Sequence, residues 1–242
     1  MSDMDEITRN EIIEKAKIWM RDSLIESHRR NTEKLVDIDE LNINPFLLPY
    51  LGNFLEGNTN PETLAKVLLY PRILGTSIAT SFGTQMQRFI TTVLDGFGST
   101  TEGIDIEFID YLDNRRKYAQ LKSGPNAINK DDVTTIKTHF KSLINRARTN
   151  NLSIQHGDLV FCLLYGEERE KNTFIQSLEE DYTVYMGQVF WTRFTGDETF
   201  YRRLSSAMAE VANDVDMKHV VESVIKELAP KVEQRFNEIY GS

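Results

Sequence analysis

The chain carries GIDIEF at residues 103–108 and YAQLKSGP at residues 118–125. Apolar and polar residues alternate in both runs, and this period of two predicts a pair of β-strands, each with one buried face. On the first strand Asp105 and Glu107 share the polar face, because successive side chains of a strand point to opposite sides of the sheet. Two such strands close together in the chain predict a hairpin.

On the second strand the same alternation predicts that Ala119 and Leu121 point into the core, while Tyr118, Gln120 and Lys122 share the outward face. If the strands pair, a carboxylate, an amide oxygen and an ammonium converge on one side of the sheet. Carboxylate and carbonyl oxygens suit a hard divalent cation, and a neighbouring lysine can stabilise the negative charge of a transition state. A plain amphipathic hairpin with a solvated polar face shows the same alternation.

Helices are predicted before and after this hairpin in the sequence. Apolar periodicity predicts them over residues 5–30, 61–70, 77–94, 130–149 and 216–240, with the second helix ending just before Pro71. Strands are predicted over residues 103–110, 117–123, 158–165 and 182–186. Residues 42–60 hold two prolines, two glycines and five asparagines, which predicts a loop. This order of elements predicts a mixed α/β core with helices on both sides.

Composition argues against several classes of protein. The chain has no apolar run long enough to cross a membrane, so no membrane partner is expected. Its N-terminal segment is acidic and lacks an apolar signal core, which predicts a cytoplasmic location. Cys162 is the only cysteine, so a disulfide framework is excluded. The four histidines, among them His139, show no metal-ligand spacing and are interpreted as structural. No phosphate-binding loop or dinucleotide fingerprint occurs, so no nucleotide cofactor is expected.

The formal net charge is −9. Indiscriminate nucleic-acid binding depends on many phosphate contacts, so this charge argues against it. A basic cleft within an acidic surface stays compatible with the same balance, because such a surface focuses DNA into the cleft. Lys137 and Lys141 lie four residues apart and share one face of the predicted helix 130–149. Simple solvation of that face is an equal alternative.

The order Asp105, hairpin, Gln120-x-Lys122 resembles the PD-(D/E)XK nuclease signature, with Gln in the usual acidic position. The longer string GIDIEF…YAQLKSGPNAINKDD resembles type II restriction endonucleases of that superfamily. It is most similar to the branch that cuts interrupted palindromes with GG and CC half-sites. SFGTQMQRFI upstream and GQVFWTRFTGDETFY downstream also resemble that branch, so the similarity extends over about residues 44–201.

This resemblance implies a restriction-endonuclease-like fold, in which helices flank a mixed central sheet and further helices are added at both ends. We therefore expect one endonuclease domain over residues 1–242. Within it we expect an N-terminal helical elaboration over 1–75, a catalytic core over 76–195 and C-terminal helices over 196–242.

The resemblance also implies the roles of the site residues. Asp105 is the metal-binding carboxylate, and the backbone carbonyl of Leu121 is a further ligand. Gln120 supplies a neutral side-chain oxygen where an acid is usual. Lys122 orients or deprotonates the attacking water, or stabilises the transition state. Glu107 shares a face with Asp105 and could restore the missing charge; an exposed strand carboxylate is an equal alternative.

A helix element is similar as well. Gln87 lies four residues after Gly83, which matches a Gly-x-x-x-Glu element with Gln in place of Glu. The resemblance implies a supporting role for Gln87 in the site, and an ordinary solvated glutamine is the alternative.

The segment after the second strand is a turn by composition. In the family this loop lies near the DNA backbone. The candidates for DNA contact are Ser123, Asn126, Asn129 and Lys130.

The function implied is Mg²⁺-dependent, sequence-specific hydrolysis of double-stranded DNA by a type II restriction endonuclease. A palindromic site is read most simply by a two-fold symmetric protein, so a homodimer is expected. Two alternatives stay open. One is a repair or modification-dependent nuclease of the same fold. The other is a catalytically inactive DNA-binding relative, which the neutral Gln120 keeps open.

Overall fold

The computed structural model describes residues 4–241 and separates into two compact units. The first, here called the sheet unit, comprises Met1–Trp19 and Gln85–Val211, and the second, here called the helical unit, comprises Met20–Thr84 and Ala212–Ser242. The expected division at residues 75 and 195 within a single domain stays a prediction.

Most of the regular secondary structure in the described residues is helical, and the remainder is four strands. The α-helices are α1 (Glu6–Trp19), α2 (Glu26–Glu33), α3 (Leu48–Glu56), α4 (Pro61–Pro71), α5 (Ile78–Val93), α6 (Lys130–Thr149), α7 (Thr173–Glu179), α8 (Gln188–Thr195), α9 (Phe200–Asp214) and α10 (Lys218–Tyr240). The strands are β1 (Ile106–Ile109), β2 (Arg116–Lys122), β3 (Leu159–Leu163) and β4 (Thr183–Met186). Two π-helical segments, Met20–Ile25 and Arg72–Ser77, follow α1 and α4.

The four strands form one sheet in the order β1-β2-β3-β4. β1 and β2 are antiparallel, whereas β2, β3 and β4 run parallel. Gln120 lies opposite Phe161, and Leu121 lies opposite Cys162. This mixed sheet with flanking helices confirms the predicted fold class.

Helix α6 covers the sheet face that carries Gln120. Its residues Ile136 and Phe140 belong to one buried cluster with Phe161 and Leu163 of β3. Gln120 shares that face because it lies directly opposite Phe161. The prediction that Gln120 points outward from the sheet is therefore wrong. Strand periodicity predicts which residues share a face, but it does not show that a later helix packs over that face.

Two predictions of chain breaks are also wrong. The predicted loop over residues 42–60 contains α3, because Pro49 occupies a first helical turn and Gly57 caps the end of the helix with φ 71°. Helix α4 includes Pro71 instead of ending before it. The following segment, Arg72–Ser77, is π-helical, so the chain stays helical past the backbone hydrogen bond that Pro71, without an N–H, cannot donate.

The core of the helical unit lies mainly between α4 and α10. Leu64 and Leu69 of α4 pack in one cluster with Val224, Leu228 and Val232 of α10. The apolar stripe of the last helix is thus used inside its own unit. In residues 4–241, no helix combines the length and apolar character needed to span a membrane.

Candidate active site

Asp105 lies immediately before β1 and bonds to β2 through both its backbone and its side chain. Its N–H donates to the Ala119 carbonyl at 2.9 Å, and its Oδ2 accepts from the Leu121 N–H at 2.7 Å. Burial raises the pKa of the Asp105 carboxyl, while the Leu121 N–H and the charge of Lys122 oppose that rise. The site therefore holds a partly desolvated carboxylate that would gain from a cation.

The Leu121 carbonyl points to the same edge of β2 as Asp105. In an extended strand the N–H and C=O of one residue face the same neighbouring strand. Because the Leu121 N–H reaches the Asp105 carboxylate, its carbonyl lies on that side as well. The Asp105 carboxylate and the Leu121 carbonyl, two of the three oxygen ligands predicted from the sequence, therefore lie at the same edge of β2.

Gln120 is buried, with 8% of its surface exposed. Its Nε2 donates to the Gly103 carbonyl, and Nε2 lies 2.7 Å from Nδ1 of His139. His139 was interpreted as structural from the sequence, but it contacts a candidate site residue directly. No feature of its sequence spacing indicates this, because the contact arises from the packing of α6 on β2.

Lys122 forms an ion pair with a residue that sequence reasoning did not assign to the site. Its Nζ lies 2.7 Å from Oδ1 of Asp132, and the other oxygen of Asp132 accepts from the Asn129 N–H at 2.9 Å. The Asn129 side chain accepts in turn from the N–H groups of Asp131 and Asp132, which completes a capping box at the start of α6. Although burial opposes it, the Lys122 ammonium holds the pKa of Asp132 below its usual value. The pattern Asn-x-x-Asp was the available signal for this arrangement.

Both carboxylate oxygens of Glu107 have partners. Oε1 accepts from the hydroxyl groups of Ser99 at 2.7 Å and Thr101 at 3.2 Å, and Oε2 lies 3.0 Å from Nη1 of Arg116. These contacts favour a structural role for Glu107. Gln87 is an exposed residue of α5, and a supporting role for it stays a prediction.

The candidate DNA-contact residues after β2 differ in their exposure and in their hydrogen bonds. Ser123 is buried, and its carbonyl accepts from the Tyr165 N–H at 3.1 Å. Asn129 is exposed, but its side chain is engaged in the capping box. Asn126 and Lys130 are also exposed. Asn126 and Lys130 are therefore the more accessible of the four candidates.

A groove of about 580 Å³ extends along α6 from Lys130. Lys137, Lys141, His156 and Tyr182 are among the residues that line it. Lys137 lies 2.6 Å from Asp181, which neutralises part of the positive charge. The groove places basic side chains along the helix whose first turn anchors Lys122.

The donor atoms fit a magnesium ion held partly by its substrate. Within residues 4–241, no three His, Cys, Asp or Glu side chains are grouped to hold a metal. A metal here would be held by the Asp105 carboxylate together with the neutral oxygens of Gln120 and Leu121. Mg²⁺ often uses only one or two protein carboxylates and completes its octahedron with water and substrate phosphate.

Comparison with known proteins identifies the family of most of the chain. Residues 14–216 match the family model for the type II restriction endonuclease EcoO109I. No curated protein matches the chain significantly. The matched range contains the whole sheet and the segments that carry Asp105, Gln120 and Lys122. Membership of this family implies a site-specific nuclease that binds DNA. The chain belongs to the family of the type II restriction endonuclease EcoO109I.

Proposed function

We propose that this protein cleaves double-stranded DNA at an interrupted palindrome with GG and CC half-sites, in a reaction that requires Mg²⁺. The observation that carries the proposal is the Asp105–Leu121 contact at 2.7 Å, one residue from Lys122, within a chain of this family. This contact groups a partly buried carboxylate, a backbone carbonyl and a lysine at one end of the hairpin.

The residues divide the chemistry between them. Asp105, the Leu121 carbonyl and Oε1 of Gln120 would hold the metal. When bound, Mg²⁺ supplies a Lewis acid that favours ionisation of water and neutralises charge developing on the phosphate. Lys122 donates hydrogen bonds to the attacking water or to a phosphate oxygen. Water attacks phosphorus in line with the leaving oxygen, so no covalent enzyme intermediate forms. Asp132 keeps Lys122 beside the end of β2.

The DNA backbone would be held by the exposed loop and the basic groove of α6. Asn126 and Lys130 lie next to the site, and Lys137 and Lys141 continue along the same helix. Lysine contacts to phosphate position a duplex without reading its sequence. Such contacts make binding weaken as salt concentration rises.

We expect a homodimer, because a palindrome presents two equivalent half-sites. A candidate surface for self-association lies around α3, where Phe46, Tyr50 and Phe54 recur every four residues and are 90%, 61% and 76% exposed. An apolar patch of this kind would be covered by the same patch of a second copy related by a two-fold axis.

The test is cleavage of unmethylated phage DNA with and without Mg²⁺, using the intact protein and Lys122→Ala. Discrete fragments that need both Mg²⁺ and Lys122 would support the proposal, and sequencing their ends would identify the site. We expect Lys122→Ala to lower the cleavage rate by about 100-fold or more. Lys218→Ala is the matched control, because Lys218 is an exposed lysine of the helical unit.

The neutral Gln120 favours a second candidate, a DNA-binding relative that has lost catalysis. Asp105 would be the only carboxylate among the three ligands assigned above. Specific DNA binding without cleavage across several divalent metals would support that candidate. Cleavage restricted to modified or damaged DNA would instead indicate the repair or modification-dependent alternative.

A further inference from the structure

The Gln120 amide nitrogen lies in a partly buried contact with Gly103 and His139. A primary amide nitrogen has two N–H donors. One is directed to the Gly103 carbonyl, and the other is directed to Nδ1 of His139, 2.7 Å away. Only 8% of the Gln120 surface is exposed, so water is largely excluded from competing for these bonds.

The Gly103 carbonyl determines which way the amide is turned. A carbonyl oxygen can only accept, so a reversed amide would set two acceptors against each other. We therefore assign Nε2 to this side and Oε1 to the opposite side. For Nδ1 of His139 to accept the second N–H, its proton must be on Nε2, and we assign that tautomer.

His139 and Gly103 are held in place by the fold. His139 directly precedes Phe140, a fully buried residue of α6 that packs in the same cluster as Phe161. Gly103 has φ 76°, a left-handed conformation that favours glycine, and a Cβ at this position would overlap the His139 ring. The close approach of the two residues therefore requires glycine.

We propose that His139 is a positioning residue that, with the Gly103 carbonyl, turns Oε1 of Gln120 toward the metal held by Asp105. This inference rests on the proposed function, because it assigns Gln120 a ligand role. It also accounts for Gln in place of the usual acid. A carboxylate at position 120 would place an oxygen against the Gly103 carbonyl, and this contact between two acceptors would be repulsive.

Two substitutions at position 139 separate hydrogen bonding from packing. His139→Asn keeps an acceptor oxygen close to the position of Nδ1, whereas His139→Leu fills similar space without an acceptor. Mn²⁺ binding to the DNA-free protein, followed by paramagnetic resonance, gives a readout independent of cleavage. The Mg²⁺ concentration at half-maximal cleavage gives a second readout. Removal of a residue that orients a metal ligand typically weakens metal affinity by about 10–100-fold.

We expect His139→Leu to show that loss and His139→Asn to recover most of the affinity. His219→Leu is the control, because His219 is an exposed histidine on α10 and should leave metal binding unchanged. Wild-type affinity in His139→Leu would overturn the inference. Equal losses in the Leu and Asn variants, in step with their melting temperatures, would overturn it as well, because packing alone would then explain them.

Gln120→Glu provides an independent check. We expect this variant to have a lower melting temperature than the wild type in metal-free buffer, despite its likeness to the superfamily pattern. A higher melting temperature would contradict the assigned orientation of the amide. If the wild type binds Mn²⁺ as expected but cleaves no DNA, the proposed function fails while the positioning role still stands.

Discussion

A buried ion pair that joins the end of β1 to α8 provides a quantitative test of how this sheet is stabilised. Asp110 follows β1 and is fully buried, and its Oδ2 accepts from Nη1 of Arg193 at 2.7 Å and from the Tyr185 hydroxyl at 3.0 Å. The Arg193 guanidinium lies 4.6 Å from the centre of the Tyr185 ring. Replacing Arg193 by alanine would leave the carboxylate buried without its charged partner.

Removing one partner of a buried ion pair costs about 3–5 kcal/mol of unfolding free energy. Two neutral donors to Asp110 would remain, the Tyr185 hydroxyl and the Leu112 N–H at 2.9 Å. The Arg193 side chain is also 25% exposed, so water can partly replace it. For both reasons we expect Arg193→Ala to cost about 3 kcal/mol, the lower end of that range.

Urea unfolding at neutral pH measures this loss directly. The matched control is Arg169→Ala, because Arg169 and Glu167 form an ion pair of similar length, 2.9 Å, with 82% and 66% of their side chains exposed. An exposed pair of this kind contributes about 0–1 kcal/mol. Equal losses in the two variants would refute the reasoning, because burial would then make no difference to the energy of the pair.

Substitutions of Asp105, Phe54 and Gly103 test the charge of the site, the mode of self-association and the approach of α6. In metal-free buffer at neutral pH, Asp105→Asn should raise the melting temperature, because burial raises the pKa of this carboxyl and its charged form is unfavourable in the fold. The gain in melting temperature should shrink as pH falls, because the wild-type carboxyl then becomes neutral. A gain that persists in acid would show that the charge of Asp105 is not its cause. Phe54→Glu should shift the sedimentation coefficient toward that of a monomer, whereas Ile18→Glu on α1 should not, and the reverse result would assign the interface to α1. Gly103→Ala should destabilise the protein more than Gly57→Ala in urea unfolding. Both variants incur the left-handed backbone cost of about 1–2 kcal/mol, but only the first collides with a side chain; equal losses would argue against the collision.

Local sequence patterns were sufficient for the elements that depend on local physics. The strand predicted over 117–123 is observed as Arg116–Lys122, and the helix predicted over 130–149 is observed as Lys130–Thr149. Alternation and capping act between residues a few positions apart, so they can be read from the chain itself. The same patterns failed over residues 42–60, because proline and glycine occur both in loops and at helix ends.

The sequence by itself determined the mixed α/β class and the order Asp105, Gln120, Lys122 along one hairpin. Only the tertiary structure decided what surrounds these side chains. Gln120 is buried because α6 packs over its face of the sheet, and that packing brings His139 to its amide. Lys122 meets Asp132 because the loop returns the start of α6 to the end of β2. These contacts join segments ten to nineteen residues apart, a separation at which the three-dimensional path of the chain, and not its local periodicity, determines which groups meet.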